Sequence, residues 1–310
     1  MTPLDTLLET SCRRVVVPSR LRPSARVSSL LLSLLGLAYF GGVAALAQEG
    51  SPRRIISFIP AVTEMLFALG VGDRVVAVGS FDRYPAQIEK LPRVGALIDP
   101  DLERILSMKP DLVTVYGSQT DLRTQLERAK VPLFLYSHAD LSDVTKTILE
   151  LGARVGRHER ARELTSDIDR GLAGVRQRVA GQPRPRTLIV FGRESGALRG
   201  IYASGGYGFI HDMVTAAGGD NVFAELKQQA VQATTELIIA RRPEVIIELR
   251  ADPLDAGQLA REVAAWTPLS SVPAVRTGRI HIIVDLRTVV PGPRVAEGVE
   301  LIARVLHGTK

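Results

Sequence analysis

An α/β fold of two lobes, joined by a single long helix and holding a ligand cleft between them, is what the sequence predicts. Three observations lead there. Short apolar runs alternate with helical stretches from Arg54 onward, the pattern of parallel βα units. The stretch Leu141 to Val179 has no strand signal and no proline, and it splits that alternation in two. A helix–turn–strand unit then occurs once in each half, at Asp101 to Val113 and at Thr234 to Ile246. In both copies a Glu opens the helix, a Pro follows seven positions later, and an acid and two aliphatics come next. The spacing is 133 residues from Glu103 to Glu236 and again from Pro110 to Pro243.

Composition is that of a globular chain: 45% hydrophobic and 23% charged over 310 residues, enough for two ordinary domains. The net charge is +6, of which residues 1–47 hold +3 in Arg13, Arg14, Arg20, Arg22 and Arg26 against Asp5 and Glu9. The remaining +3 does not indicate a nucleic-acid surface. Residues 1–47 read as a signal peptide. Arginines precede the uncharged run Ser28 to Ala47, which ends Ala45-Leu46-Ala47, so cleavage after Ala47 and export are expected. An uncleaved membrane anchor is the competing reading, since about 20 apolar residues span a bilayer. The single cysteine, Cys12, lies in this segment, so the exported body has neither a disulfide nor a thiolate metal site.

Taken in order, Arg54 to Phe58 reads as a buried strand, followed by a helix from Glu64 to Leu69 with Thr63 as N-cap and Gly70 as stop. Arg74 to Val78 is a second strand, and the loops around Phe81 to Pro85 and Pro92 to Pro100 lead into the repeated unit. Leu112 to Tyr116 and Pro132 to Tyr136 are strands, with a helix over Leu122 to Ala129 between them. These elements make an N-terminal lobe over 53–157. Gly152 and Gly156 break the long helical stretch, leaving a linker helix over 158–181. The C-terminal lobe, 186–310, repeats the grammar. It has a strand at Thr187 to Phe191, a long Gly-rich loop from Gly192 to Gly208, and a helix at Phe209 to Ala217. The second copy of the unit then leads into the strand Val245 to Leu249. A helix at Leu259 to Trp266, a strand at Ile280 to Val284 and a closing helix at Arg294 to Leu306 complete it. Each lobe is Rossmann-like on this reading.

Open α/β sheets bind ligands in the loops beyond their strands. That rule selects Phe58, Tyr84, Tyr116 and Ser118 in the first lobe, and Arg193, Tyr202, Tyr207, Arg250 and Arg287 in the second. Aromatic faces suit a large ring ligand, and arginines suit carboxylate or phosphate; packing is the competing role for several of the tyrosines. Glu103 and Glu236 each stand second in their helix, behind Asp101 and Thr234 as N-caps. Stabilisation by the helix dipole, worth about 0.3–1 kcal/mol, accounts for either one alone. Their repetition leaves a second reading open beside it, two carboxylates gripping a symmetric partner. No His, Cys, Asp or Glu spacing marks a metal site, although His211, opening a helix after the Gly-rich loop, is a candidate ligand residue and Tyr84 or Tyr116 a candidate axial ligand to haem iron. There is no P-loop and no Gly-x-Ser-x-Gly, so the sequence offers no catalytic residues.

Several motifs in fixed order carry a family resemblance. They are Ser57-Phe58-Ile59-Pro60-Ala61-Val62-Thr63-Glu64, Asp82-Arg83-Tyr84-Pro85, Leu91-Pro92-Arg93-Val94-Gly95, Leu102-Glu103 through Lys109-Pro110-Asp111, Ala217-Gly218-Gly219-Asp220-Asn221-Val222-Phe223, and the Glu236 unit. From about Arg53 to Leu306 the chain resembles the cobalamin and iron-complex class (class III) of periplasmic binding proteins. The resemblance implies a periplasmic substrate-binding protein that delivers cobalamin or an iron complex, with haem and ferric siderophores as alternatives, to an ABC importer. It implies docking of Glu103 and Glu236 on arginines of the permease. No resident cofactor, no nucleic-acid partner and a monomeric state are expected. The rival from another class is a two-domain α/β enzyme with a metal or cofactor in the cleft.

Overall fold

A computed structural model describes residues 50–308. The proposed signal peptide and its cleavage site lie outside them. The described residues form one compact unit built on two sheets. Among them, no helix is long and apolar enough to cross a membrane.

The first sheet comprises β1 (Ile55–Ser57), β2 (Val75–Val78), β3 (Leu112–Tyr116) and β4 (Leu133–Tyr136), in the order β2-β1-β3-β4 and parallel throughout. Its central strands are buried on both faces, which is why they read as continuous apolar runs. Helices α1 (Pro60–Ala68), α2 (Leu102–Ser107), α3 (Thr120–Arg128) and α4 (Ser142–Arg154) cover it. Helix α1 starts three residues before the expected Thr63. Pro60 occupies its first turn, where the missing N–H costs nothing. Thr63 is therefore inside the helix, fully buried, and its hydroxyl donates to Ser57 Oγ rather than capping.

Helix α5 (His158–Val179) leads from the first sheet to the second. Its buried positions Ala161, Leu164, Thr165, Ile168, Leu172 and Val175 recur at helical spacing. The second sheet runs β10-β9-β5-β6-β8, from β5 (Arg186–Gly192), β6 (Ile201–Ser204), β8 (Ala230–Ala233), β9 (Val245–Arg250) and β10 (Ile280–Val284), with the two-residue β7 (Asp220–Asn221) beside the start of β5. Strands β5, β9 and β10 are mutually parallel, and β6 alone runs against its neighbours, antiparallel to both β5 and β8. The sequence expectation of a single loop from Gly192 to Gly208 is corrected: β6 lies within it. Gly206 closes that segment against its neighbour, since a Cβ there would lie 1.8 Å from the carbonyl oxygen of Ala224. Helices α6 (Phe209–Ala216), α7 (Thr235–Arg241), α8 (Ala256–Ala264), α9 (Pro273–Arg276) and α10 (Val295–His307) complete the lobe.

One hydrophobic core is continuous through both lobes. It runs from Ile55 and Val62 under the first sheet, along Leu164, Ile168 and Leu172 of α5, to Ile189 and Ile247 of the second sheet and Ile302 of α10. Separate cores fill the outer faces, one around Ile56, Val113 and Ile105, the other around Leu188, Ile246 and Trp266.

Candidate ligand cleft

Parallel strands end on one rim of each sheet, and the sequence of each strand decides which side chains stand there. Beyond β2 the chain turns at Gly79, whose N–H donates to Asp82 Oδ2 at 3.0 Å, and Arg93 ties the turn by donating to the carbonyls of Gly79 and Asp82. This holds the loop bearing Asp82, Arg83 and Tyr84. Asp82 is 2% exposed, and burial pushes its carboxyl up to about 7. Tyr116 ends β3 and Tyr136 ends β4, meeting edge-on with centroids 5.3 Å apart. Burial raises both phenols, and it lowers the imidazole of His138, which stacks on Tyr136 at 5.6 Å.

The second rim is made of charge. Arg193, just past β5, is wholly buried and contacts Glu248 of β9 and Glu262 of α8, each at 2.7 Å. Arg250 binds the same two carboxylates at 3.1 and 2.9 Å. Trp266 Nε1 donates to Glu248 Oε1 at 2.6 Å, and Ser195 Oγ donates to Glu262. Two cations and two anions thus neutralise one another with their hydrogen bonds satisfied, the condition under which buried charges are tolerated. A cavity of about 420 Å³ lies over this network, bounded by Phe191, Ile210, Leu249, Leu254 and Val289 as well as the arginines. A larger cavity of about 660 Å³, between α4, α5 and α6, is lined by no aromatic side chain.

Two ion pairs join the lobes beside the cleft. Arg83 meets Asp252 at 2.8 Å on the surface. Arg294 holds Glu64 through two hydrogen bonds of 2.9 and 2.7 Å and lays its guanidinium 3.6 Å from the ring centroid of Tyr84. Glu64, expected to serve the α1 dipole, is instead a 4% exposed partner of a residue 230 positions away. Burial raises its pKa while Arg294 opposes the rise.

The residues expected to bind ligand do not form one cluster. Phe58 is corrected to a core residue: it is 4% exposed, belongs to the core with Ile56, Val113 and Val115, and is approached so closely by Gly79 that a Cβ there would lie 2.7 Å from its own. Arg193 is corrected likewise, its guanidinium being consumed by two carboxylates and the carbonyls of Glu194, Ala197 and Glu262. Arg250 lines the 420 Å³ cavity but shares the same acids. Arg287 is paired with Asp285 and Glu297. Tyr84 is half exposed at the lobe junction and Tyr116 is half buried on the first rim. Tyr202 and Tyr207 are half exposed on the antiparallel side of the second sheet, outside that cavity. Ser118 lines a separate groove with Leu97 and Ile98. His211 Nδ1 lies 3.2 Å from Asn221 Nδ2 within the second lobe. Among the described residues no group of three or more His, Cys, Asp or Glu is placed to hold a metal ion. Asp82, Glu64, Tyr136, His138 and Arg294 were not anticipated. Only the acid followed by Arg-Tyr-Pro could have drawn attention to Asp82; the others become neighbours through tertiary packing.

Glu103 and Glu236 are both exposed, each the second residue of a helix whose N-cap side chain bonds a backbone N–H: Asp101 accepts from Arg104, and Thr234 from Leu237.

The profile of a family described as periplasmic binding protein matches residues 55–285. A vitamin B12-binding protein of Yersinia pestis (strain Pestoides F) is 28% identical over 263 residues, covering 84% of this chain and 87% of the relative. Among solved structures, a periplasmic heme-binding protein of Roseiflexus sp. RS-1 in apo form is 27% identical with a TM-score of 0.71, covering 83% of this chain and 98% of the other. A periplasmic vitamin B12-binding protein of Vibrio cholerae shares the fold at 22% identity and a TM-score of 0.69, covering 83% and 97%. With two α/β lobes, a cleft at their strand rims and a matching profile over most of its length, the chain belongs to the periplasmic binding protein family.

Proposed function

We propose that this protein is the solute-binding component of an ABC importer, that its ligand is a corrinoid such as cobalamin, and that it binds without catalysing a reaction. The observation that carries the choice of ligand is the state of the cleft arginines. Arg193, Arg250, Arg287 and Arg294 are each held by a carboxylate, so none stands ready to neutralise a carboxylate-rich chelate. A ring bordered by uncharged amides loses little by binding such a wall. The curated relatives named for vitamin B12 support the same ligand. Haem is the second reading, favoured by the half-exposed phenol of Tyr84 and the likeness to a heme-binding protein.

On this reading the segment up to Ala47 is removed on export, the mature protein works as a monomer in the periplasm, and no resident cofactor is required. Glu103 and Glu236 dock the loaded protein on the permease, one carboxylate from each lobe. The test is the visible absorption spectrum of protein purified from its native host, followed by titration with cyanocobalamin, haemin and a ferric hydroxamate. Trp266 reports binding, because its indole donates to Glu248 directly behind the cavity. A corrin spectrum and a fluorescence change with cyanocobalamin are expected. A response to none of the three ligands sinks the proposal.

A further inference from the structure

Among the described residues, four buried side-chain atoms lack a hydrogen-bond partner: Asp82 Oδ1, Arg123 Nε, Tyr136 Oη and His138 Nδ1. All four belong to the first lobe, and Asp82, Tyr136 and His138 follow or end the strands of its rim. Tyr136 and His138 are direct neighbours, their rings stacked with centroids 5.6 Å apart. Asp82 and Tyr136 are each 2% exposed. An unpaired buried polar group costs roughly 1–3 kcal/mol, and native proteins keep few of them. A rim that sets two of them side by side is organised to meet hydrogen-bonding groups from outside the chain.

The chemistry of the Tyr136 and His138 atoms limits what those groups are. A phenol raised by burial stays a donor. An imidazole lowered by burial stays neutral, and with its proton on Nε2 it accepts at Nδ1. A primary carboxamide has the complementary set, one carbonyl and two N–H groups. A carboxylate has only acceptors, and a hydrocarbon has nothing to offer.

We propose that the first-lobe rim is a carboxamide-reading subsite, in which Tyr136 Oη donates to the carbonyl of a ligand amide while His138 Nδ1 accepts from its NH2. This rests on the corrinoid reading, since a corrin ring is fringed with such amides.

The test is titration calorimetry of the mature protein with cyanocobalamin and, separately, with each of its monocarboxylic acid derivatives, in which one peripheral amide is hydrolysed. Tyr136→Phe and His138→Ala are each expected to weaken cyanocobalamin binding about tenfold, the worth of one hydrogen bond to a buried group. One acid isomer is expected to bind the unaltered protein about tenfold more weakly than cyanocobalamin, with that penalty lost in His138→Ala. The melting temperature of ligand-free Tyr136→Phe should not fall, because the hydroxyl it removes has no partner inside the protein. Unchanged cyanocobalamin affinity in both variants overturns the subsite and leaves the corrinoid reading standing. A lowered melting temperature in Tyr136→Phe overturns it too, by showing that the hydroxyl is satisfied internally. If the unaltered protein does not bind cyanocobalamin at all, the corrinoid reading fails and the subsite with it.

Discussion

At the strand ends of the second lobe, Arg193, Glu248 and Glu262 are almost wholly buried, and the charges there, Arg250 included, have opposite charges within 3.1 Å. At the strand ends of the first lobe, Asp82 and Tyr136 are as deeply buried, yet each keeps an oxygen without a partner. The difference separates two tasks. A wall whose charges are saturated supplies shape and rigidity, and it repels nothing neutral. A wall with free donors and acceptors supplies discrimination, at a cost in the stability of the lobe that carries it.

The largest expected effect falls on the saturated wall. Glu248→Ala removes a partner from Arg193, Arg250 and Trp266 at once, leaving buried cations with one carboxylate between them. A loss of about 3–5 kcal/mol in urea unfolding is expected. A loss below about 1 kcal/mol would show that pairing does not hold this wall.

Arg294→Ala comes next, at roughly 3 kcal/mol near neutral pH, because it strands the buried Glu64 and frees the Tyr84 ring. Burial already raises the pKa of Glu64. Without its partner the folded state holds that proton to higher pH still. The deficit of the variant should therefore shrink as pH falls towards the ordinary carboxyl value of 4.5. A deficit independent of pH would mean that the guanidinium acts by packing alone.

Asp82→Asn tests the unsaturated wall and should act in the opposite direction. The folded pKa of Asp82, about 7, stands above its ordinary 3.8, so between those values the unfolded chain gives up the proton and the folded protein keeps it. Stability therefore falls as pH rises across that window and levels off above it. The Asn variant lacks this slope. Its melting temperature should equal that of the parent near pH 4 and exceed it by the equivalent of up to about 4 kcal/mol at pH 7. An advantage that did not grow with pH would place the titration elsewhere.

The smallest effect on stability belongs to the paired reversal Glu103→Arg with Glu236→Arg. Both sites are exposed, so unfolding should shift by less than about 0.5 kcal/mol and cyanocobalamin affinity should not change. Binding to the reconstituted permease should be lost. Retained binding would return both residues to their helix ends.

Local grammar was legible in the sequence. Asp101 and Thr234 cap their helices, and Glu103 and Glu236 stand second in them, because a capping side chain needs only its own next turn. Strands Leu112–Tyr116 and Ile280–Val284 end where the apolar runs end. Antiparallel β6 was hidden because Ile201 to Ser204 is short and flanked by glycines, and its pairing is fixed by distant β8. The site was the least legible part. Arg193 reads as a cleft cation until Glu248 and Glu262 are brought to it by folding, and Glu64 reads as a helix-end charge until Arg294 arrives from 230 residues away. Charge neutralisation is a property of pairs, and for Arg193 and Glu64 no short window of sequence contains both members.

The core that runs unbroken from the first sheet through α5 to the second has a mechanical consequence. Spreading the lobes exposes part of it to water at about 25 cal/mol per Å². The binding protein then behaves as a stiff clip rather than a hinged trap. It spends little on closing around its cargo, and the work of prying the clip open falls to the machine that receives it.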